Sequence, residues 1–404
     1  MRRAISISDL RDHAKARLPK ILFDWIDGGA GDERGLRENE AAFGAYRFLP
    51  RYMLDVSART QRKALFGKRY ASPFGIAPTG YAGLFRPDAD LMLARAAEKA
   101  GIPFIMSGTS VSSIEDAAEL APNSFWYQLY AAADVEITTH LIGRAHQAGC
   151  KALVVTIDIP IAGKRERDLR NGFEFPLKMT PRLAWDGLCH PAWTLTYLRT
   201  GGLPVMQNWA PYAPPGSGAV EVAEFANTHA YCVQTWEHLK LFRDLWPDKL
   251  VVKGVMHPED AEMAMRLGAD GIYVSNHGGR QYDRSVTAPS MLPILREVVG
   301  PDMPLMMDGG VRRGSDIFAA LCLGADFVFA GRPTLYGVAA HGFSGAEQAI
   351  AILRDELDNL MGQIGCLDLE GDNLGSFLVS RVSSAGSATR LAEAGPHPKE
   401  QIFQ

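Results

Sequence analysis

Eight short apolar runs, separated for the most part by amphipathic stretches, leave this chain few folds to choose from. The runs lie at residues 73–77, 103–107, 125–129, 152–157, 250–253, 271–275, 303–308 and 326–331. Each has the length of a buried strand. Between most of them sit helical patterns, at 88–100, 113–119, 135–148, 258–267, 290–299 and 314–323. Gly101, Gly149, Gly268 and Gly324 stand where helices should stop. Strand–helix alternation repeated eight times predicts an α/β fold, a (β/α)8 barrel. A doubly wound open sheet is the alternative. No Gly-x-Gly-x-x-Gly follows an early strand to support it.

The remaining segments predict additions to that barrel. Residues 6–27 carry a helical period that runs past Pro19, and Gly28, Gly29 and Gly31 end it. Residues 32–70 read as a surface crossing of mixed charge. The expected units are a helical N-terminal segment (1–70), a barrel (71–380), an insertion after strand 4 (176–225) and a loosely ordered tail (381–404). The insertion is too long for a plain loop. Thr180-Pro181 marks a helix start, and Trp185, Leu188, Trp193, Leu195, Tyr197 and Leu198 make it apolar. Lys178, Arg182 and Arg199 face one acid, Asp186. Two readings stay open: packing on the barrel or an oligomer neighbour, or an interfacial membrane patch. A C-terminal helix is expected at 344–360.

Composition narrows the partners. The chain has 404 residues and a formal net charge of -4, with no long basic run, so a nucleic-acid partner is not expected. Cys150, Cys189, Cys232, Cys322 and Cys366 are scattered without metal-ligand spacing, as in reduced cytosolic proteins. Arg2 and Arg3 precede no apolar run of a signal peptide, and no stretch is long and apolar enough to span a bilayer.

In a barrel, chemistry gathers where the strands end. Strand 6 runs into Ser275-Asn276-His277-Gly278-Gly279-Arg280-Gln281. This loop presents a base and a fixed cation together, a pairing suited to a hydroxy acid. Read alone, it could equally be a glycine-rich loop with an incidental His and Arg. The other ends are Ala77-Pro78-Thr79-Gly80, Ser107, Gln128-Leu129-Tyr130, Thr156-Ile157-Asp158, Lys253, Asp308-Gly309-Gly310-Val311-Arg312 and Ala330-Gly331-Arg332. The last two loops, with Gly310, Arg312, Gly331 and Arg332 and a helix after each, predict a phosphate site. Lys253 should point inward toward a cofactor anion, the alternative being a salt bridge to Asp308 or Asp158. Asp158 can orient a histidine or cap its loop. Arg165 lies in a run, 164–168, that reads as solvated charge.

Together these stretches resemble the FMN-dependent α-hydroxy acid dehydrogenase/oxidase family over about residues 8–380. The 275–281 loop carries that family's signature. Leu18-Pro19-Lys20, Trp126-Tyr127-Gln128-Leu129-Tyr130 and the 308–316 stretch support it. Residues 165–169 and 186–193 are similar to the membrane-associated bacterial members of the family, in which the insert is tied to the membrane and electrons pass to a quinone. The resemblance implies His277 as active-site base with Asp158 as partner, and Arg280 binding the substrate carboxylate with Arg165 and Tyr130 nearby. It places Trp25 at the same carboxylate, where the family usually has tyrosine. It implies Lys253 stabilising negative charge on reduced FMN. Pro78, Thr79 and Gly80 would face the flavin, and Ser107, Gln128, Thr156 and Ser275 would hydrogen-bond it. Asp308 would hold the ribityl chain, and Gly310, Arg312, Gly331 and Arg332 the phosphate. Thr109 stands where plant relatives have tryptophan, and Gly80 matches the dehydrogenase members. A homotetramer is implied as well.

The activity so implied is oxidation of an (S)-2-hydroxy acid, mandelate- or lactate-like, to the 2-oxo acid, with electrons passing to a quinone-type acceptor at the cytoplasmic face of a membrane. The rivals are an oxygen-using oxidase or monooxygenase, a barrel that holds FMN without turnover, and a flavin-free phosphate-binding barrel.

Overall fold

A computed structural model describes residues 3–173, 180–229, 233–371 and 373–380. Eight parallel strands close into a barrel: β1 (Phe74–Ile76), β2 (Phe104–Met106), β3 (Phe125–Leu129), β4 (Ala152–Thr156), β5 (Lys249–Val255), β6 (Gly271–Val274), β7 (Leu305–Met307) and β8 (Phe327–Ala330). β8 closes on β1 with Ala330 opposite Ile76, and β4 meets β5 with Thr156 opposite Lys253. Every predicted strand is present within two residues of its expected ends. The four helix-ending glycines all have positive φ.

Strand parity sorts the side chains. Ile105, Trp126, Val154, Val251, Tyr273, Met306, Phe327 and Phe329 form one interior cluster inside the barrel. Their neighbours Phe104, Met106, Phe125, Tyr127, Leu153, Val155, Leu250, Val252, Leu305 and Met307 join a second core under the helices. Two residues further along each strand, the inward parity reaches Ser107, Gln128, Thr156, Lys253, Ser275 and Asp308. The interior is therefore apolar for most of its depth and polar at one mouth. A hairpin of Lys63–Leu65 and Lys68–Tyr70 covers the opposite end, with Phe66 against Trp126.

Several expectations need correction. The 6–27 helix is two helices, Ile7–Arg17 and Lys20–Asp27. A residue before proline is driven from the helical region, and Leu18 is extended at φ -90, ψ 141. Ser6 and Asp9 cap the first helix reciprocally. The second ends at Gly28 in an extended conformation, so no left-handed glycine stops it. Residues 32–70 hold a helix, Arg34–Ala42, which has no N-cap signal because Glu33 precedes it without a capping bond. The 164–168 run is not merely solvated. Arg165 precedes a helix, Glu166–Asn171, Asp168 is buried, and Arg167 pairs with Asp27 and Glu33.

The insertion forms helices Pro181–Cys189, Pro191–Arg199 and Ala219–His229. Thr180 caps the first, accepting from the Leu183 amide at 3.1 Å. Trp193 and Tyr197 dock on the β1 loop through the carbonyls of Leu84 and Gly83, and Trp209 bonds the Gly108 carbonyl of the β2 loop. The C-terminal helix runs Phe343–Ile364, longer than expected. Lys178, Cys232 and the expected loose tail from 381 lie outside the described residues. Among the described residues no helix is long and apolar enough to cross a membrane.

Asp27 fixes the second helix in place. Its carboxylate accepts two bonds from Arg11, at 2.6 and 2.8 Å, one from Arg167 at 3.1 Å and one from the Tyr336 hydroxyl at 2.8 Å. Burial opposes the charge, but Arg11, Tyr336 and Arg167 outweigh it and lower the carboxyl from 3.8 to about 2. A depressed folded pKa adds stability above the unfolded value, lost as pH falls through the folded one. We expect Asp27→Asn to lose about 2 kcal/mol at pH 6. The gap to wild type should close between about pH 4 and about pH 2, as denaturant melts across that range would show.

Candidate active site

The polar mouth of the barrel opens into a cavity. Its wall includes Trp25, Pro78, Thr79, Gly80, Tyr130, Arg165, Lys253, His277, Arg280, Asp308, Gly310, Arg312, Gly331 and Arg332. The other predicted residues, Ser107, Gln128, Thr156, Ser275 and Asp158, stand behind the wall; Ser107 bonds Gln128, Ser275 bonds Lys253 and Asp308, and Asp158 bonds His277.

The β6 loop turns through three consecutive left-handed residues, His277 (φ 56), Gly278 (φ 63) and Gly279 (φ 75). For histidine this conformation is strained and must be held by its surroundings. The His277 amide donates to Ser275 Oγ at 3.1 Å, and a side chain at Gly279 would collide with the Leu36 backbone. His277 Nδ1 lies 3.0 Å from Asp158 Oδ1. With Nδ1–H donated to that carboxylate, Nε2 is left as the base. Burial lowers the His277 pKa. Asp158 resists this, and Lys253 and Arg165 add to it. Burial works against the Asp158 charge as well, yet His277 and Lys253 prevail and its pKa is lowered. The resting pair is thus a neutral imidazole beside a carboxylate. Gly254, at φ 102, lets β5 pass beside Asp158, where any Cβ would sit 2.6 Å from the aspartate Cβ.

Lys253 Nζ lies 2.7 Å from Ser275 Oγ and 3.2 Å from Asp308 Oδ2. The salt bridge treated above as the alternative is therefore formed, while Lys253 still reaches the cavity wall. Ser275 donates to Asp308 at 2.5 Å, and the Tyr273 hydroxyl adds a bond at 3.0 Å. This network fixes both charges.

Arg280 and Arg332 are held by backbone rather than by carboxylates. Arg280 Nη1 donates to the carbonyls of Trp25 (2.7 Å) and Gly28 (3.0 Å). Arg332 donates to the carbonyls of Ile26, Gly278 and Gly28. These carbonyls are mainly the C-terminal end of helix Lys20–Asp27, the negative end of its dipole. The Arg280 guanidinium also lies over the Trp25 ring, 4.4 Å from its centroid. Burial, Arg165 and Arg332 all press the Arg280 pKa well down, relieved by Asp168 and Tyr130. Its Nη2 is buried with no hydrogen-bond partner among the described residues.

The residues fit FMN. Gln128 Nε2 and Thr156 Oγ1, at the ends of β3 and β4, are buried polar atoms without a partner among the described residues. The amides of Gly309, Gly310 and Val311 have no partner among the described residues. Arg312 and Arg332 flank them in the cavity wall. One part of the expected phosphate site is corrected. The start of helix Gly314–Cys322 is occupied, because Asp316 accepts from the Arg312 and Arg313 amides and Glu356 from the Gly314 amide. An anion would use the 309–311 loop and the two arginines, not that helix end.

The sequence reading missed Tyr81 and Ile159 in the wall. It also missed Asn39, which exchanges two 2.8 Å bonds with Asn276 and packs on Gly310, where a Cβ would lie 2.0 Å from its carbonyl. No local signal could have found Asn39, because its partners are brought in by folding.

Comparisons with known proteins agree with this geometry. The family model described as FMN-dependent dehydrogenase matches residues 14–374. The chain is 40% identical over 393 residues to (S)-mandelate dehydrogenase of Pseudomonas putida, covering 97% of this chain and 98% of the relative. It is 36% identical to L-lactate dehydrogenase of Caulobacter vibrioides, covering 94% and 99%. A crystal structure of the monotopic membrane protein (S)-mandelate dehydrogenase superposes with a TM-score of 0.89 at 39% identity, over 94% of this chain and all of that one. A structure of mandelate oxidase with (S)-2-phenylpropionate gives 0.77 at 33%, over 94% and 99%. The chain belongs to the FMN-dependent dehydrogenase family and is a 2-hydroxy acid dehydrogenase of the mandelate/lactate type that uses FMN.

Proposed function

We propose that the chain oxidises an (S)-2-hydroxy acid at a membrane surface and passes the electrons to a quinone-type acceptor. One observation carries the reading of the site. Arg280 Nη2, buried and without a partner among the described residues, shares a cavity with a histidine base whose other nitrogen is already held. Arg280, with Arg165 and Tyr130 beside it, binds the substrate carboxylate. His277 Nε2 takes a proton from the substrate, and the Asp158 carboxylate steadies the imidazolium that results. Lys253 supplies fixed positive charge at the inner end of the cavity. Bound FMN supplies the two-electron redox chemistry. Gln128, Thr156 and Ser107 hold its ring system, Asp308 its chain, and Gly310, Gly331, Arg312 and Arg332 its phosphate. Pro78, Thr79 and Gly80 face its ring. At Gly80 a Cβ would lie 2.3 Å from Thr109 Oγ1, so a larger residue needs that threonine to move.

Membrane contact rests on the outer faces of helices Pro181–Cys189 and Pro191–Arg199. Trp185, Leu188, Leu195 and Leu198 are exposed by 69, 71, 49 and 71%. A water-facing surface of this kind marks an interaction site. A tetramer and the cytoplasmic side of the membrane belong to the same proposal.

Four outcomes test it. His277→Ala should keep FMN but reduce it with substrate about 10²–10⁴ times more slowly in anaerobic stopped flow. Arg280→Met should raise KM sharply instead. Because the His277 pKa is lowered, the wild-type reduction rate should hold its plateau down to about pH 6.5 and fall only below it, where the base becomes protonated. Trp185→Ser/Leu188→Ser should abolish sedimentation with vesicles while leaving turnover intact. Stoichiometric peroxide in air, with no quinone reduction, would favour the oxidase reading.

A further inference from the structure

Away from the flavin cavity, four basic side chains meet; Asp9 stands beside His13, but no carboxylate among the described residues pairs with either arginine. Arg17 ends the first helix, and its Nε is buried with no hydrogen-bond partner among the described residues. Arg86, in the β1 loop, donates to the carbonyls of Val338, Ala339 and Ala340 at the end of helix Arg332–His341. His341 closes that helix, and its Nε2 lies 2.9 Å from His13 Nδ1 on the first helix. No ion pair of Arg17 or Arg86 occurs among the described residues, and Asp88, the acid nearest to their neighbour Tyr197, makes none with them. Burial and Arg17 press Arg86 down to about 10, and burial, His13, Arg86 and Arg17 all lower His341. Gathering like charges and an orphaned N–H is costly unless an anion completes the site.

We propose that Arg17, Arg86 and the His13–His341 pair bind a phosphate-bearing anion, at a site separate from the flavin. Donors approaching from several elements suit a tetrahedral oxyanion, and guanidinium groups bind phosphate well. The anion is either free phosphate or the phosphodiester of an anionic lipid. The lipid source follows from place: Tyr197 beside the two arginines belongs to the helix whose other face carries Leu195 and Leu198. That source, though not the site itself, rests on the membrane reading above.

The test uses FMN-loaded full-length protein, so that the flavin phosphate site is filled. Inorganic phosphate is titrated calorimetrically into wild type and Arg17→Gln, a change that breaks no hydrogen bond within the described chain. Sedimentation with neutral phosphatidylcholine vesicles is then compared with vesicles containing phosphatidylglycerol. We expect saturable binding to wild type that R17Q weakens at least tenfold, with turnover unchanged. A preference for phosphatidylglycerol that R17Q abolishes, with binding to neutral vesicles kept, identifies lipid as the source. Phosphate binding without that preference identifies the free anion. Failure of wild type to sediment with neutral vesicles, with phosphate binding kept, would overturn the membrane reading and leave the site standing. Phosphate and phosphatidylglycerol behaving identically with wild type and R17Q would overturn the site.

Discussion

Two half-buried arginines in one cavity need negative charge nearby, and what supplies it decides what the cavity can do. Here most of it comes from the carbonyls of Trp25, Ile26 and Gly28, which take Arg280 and Arg332 at the end of helix Lys20–Asp27. Carboxylates would have cancelled the positive charge. Carbonyls and a helix dipole offset only part of it, so the cavity keeps a net attraction for anions. One buried N–H of Arg280 is left over for a ligand.

That arrangement depends on the helix staying in place. Asp27, one residue beyond Ile26, is clamped by Arg11, Arg167 and Tyr336 from three other helices. Ala30 donates to the Gly279 carbonyl, so the glycine segment after the helix also touches the histidine loop. The N-terminal segment is therefore part of the site, although the barrel alone supplies His277, Asp158 and Lys253. Gly279 and Gly310 belong to the same design: side chains there would run into the backbone of Gly35–Leu36 and of Asn39.

The barrel was legible because its signals are local. Apolar runs of strand length, alternating with helices that end in glycine, need no knowledge of distant contacts. The site residues at strand ends were legible for the same reason, since inward parity carries Gln128, Thr156, Lys253, Ser275 and Asp308 to one mouth. Leu18 was misread because the apolar period continued through a proline whose effect falls on the residue before it. Asn39, the true surroundings of Arg167 and most of the clamp on Asp27 were illegible, since Asn276, Arg167 and Tyr336 lie over a hundred positions from the residues they bond. The helix after β7 was expected to face an anion, but Asp316 and Glu356 occupy its start, which motif spacing does not reveal.

The most direct test of the central claim is an anaerobic titration of the FMN-loaded protein, followed by flavin absorbance, with (S)-mandelate, L-lactate and the amide of each. A cavity whose uncancelled positive charge orients a hydroxy acid over a neutral His277 predicts bleaching by at least one acid and none by its amide at equal concentration. Equal bleaching by acid and amide, or a spectrum unmoved by either acid, would contradict it.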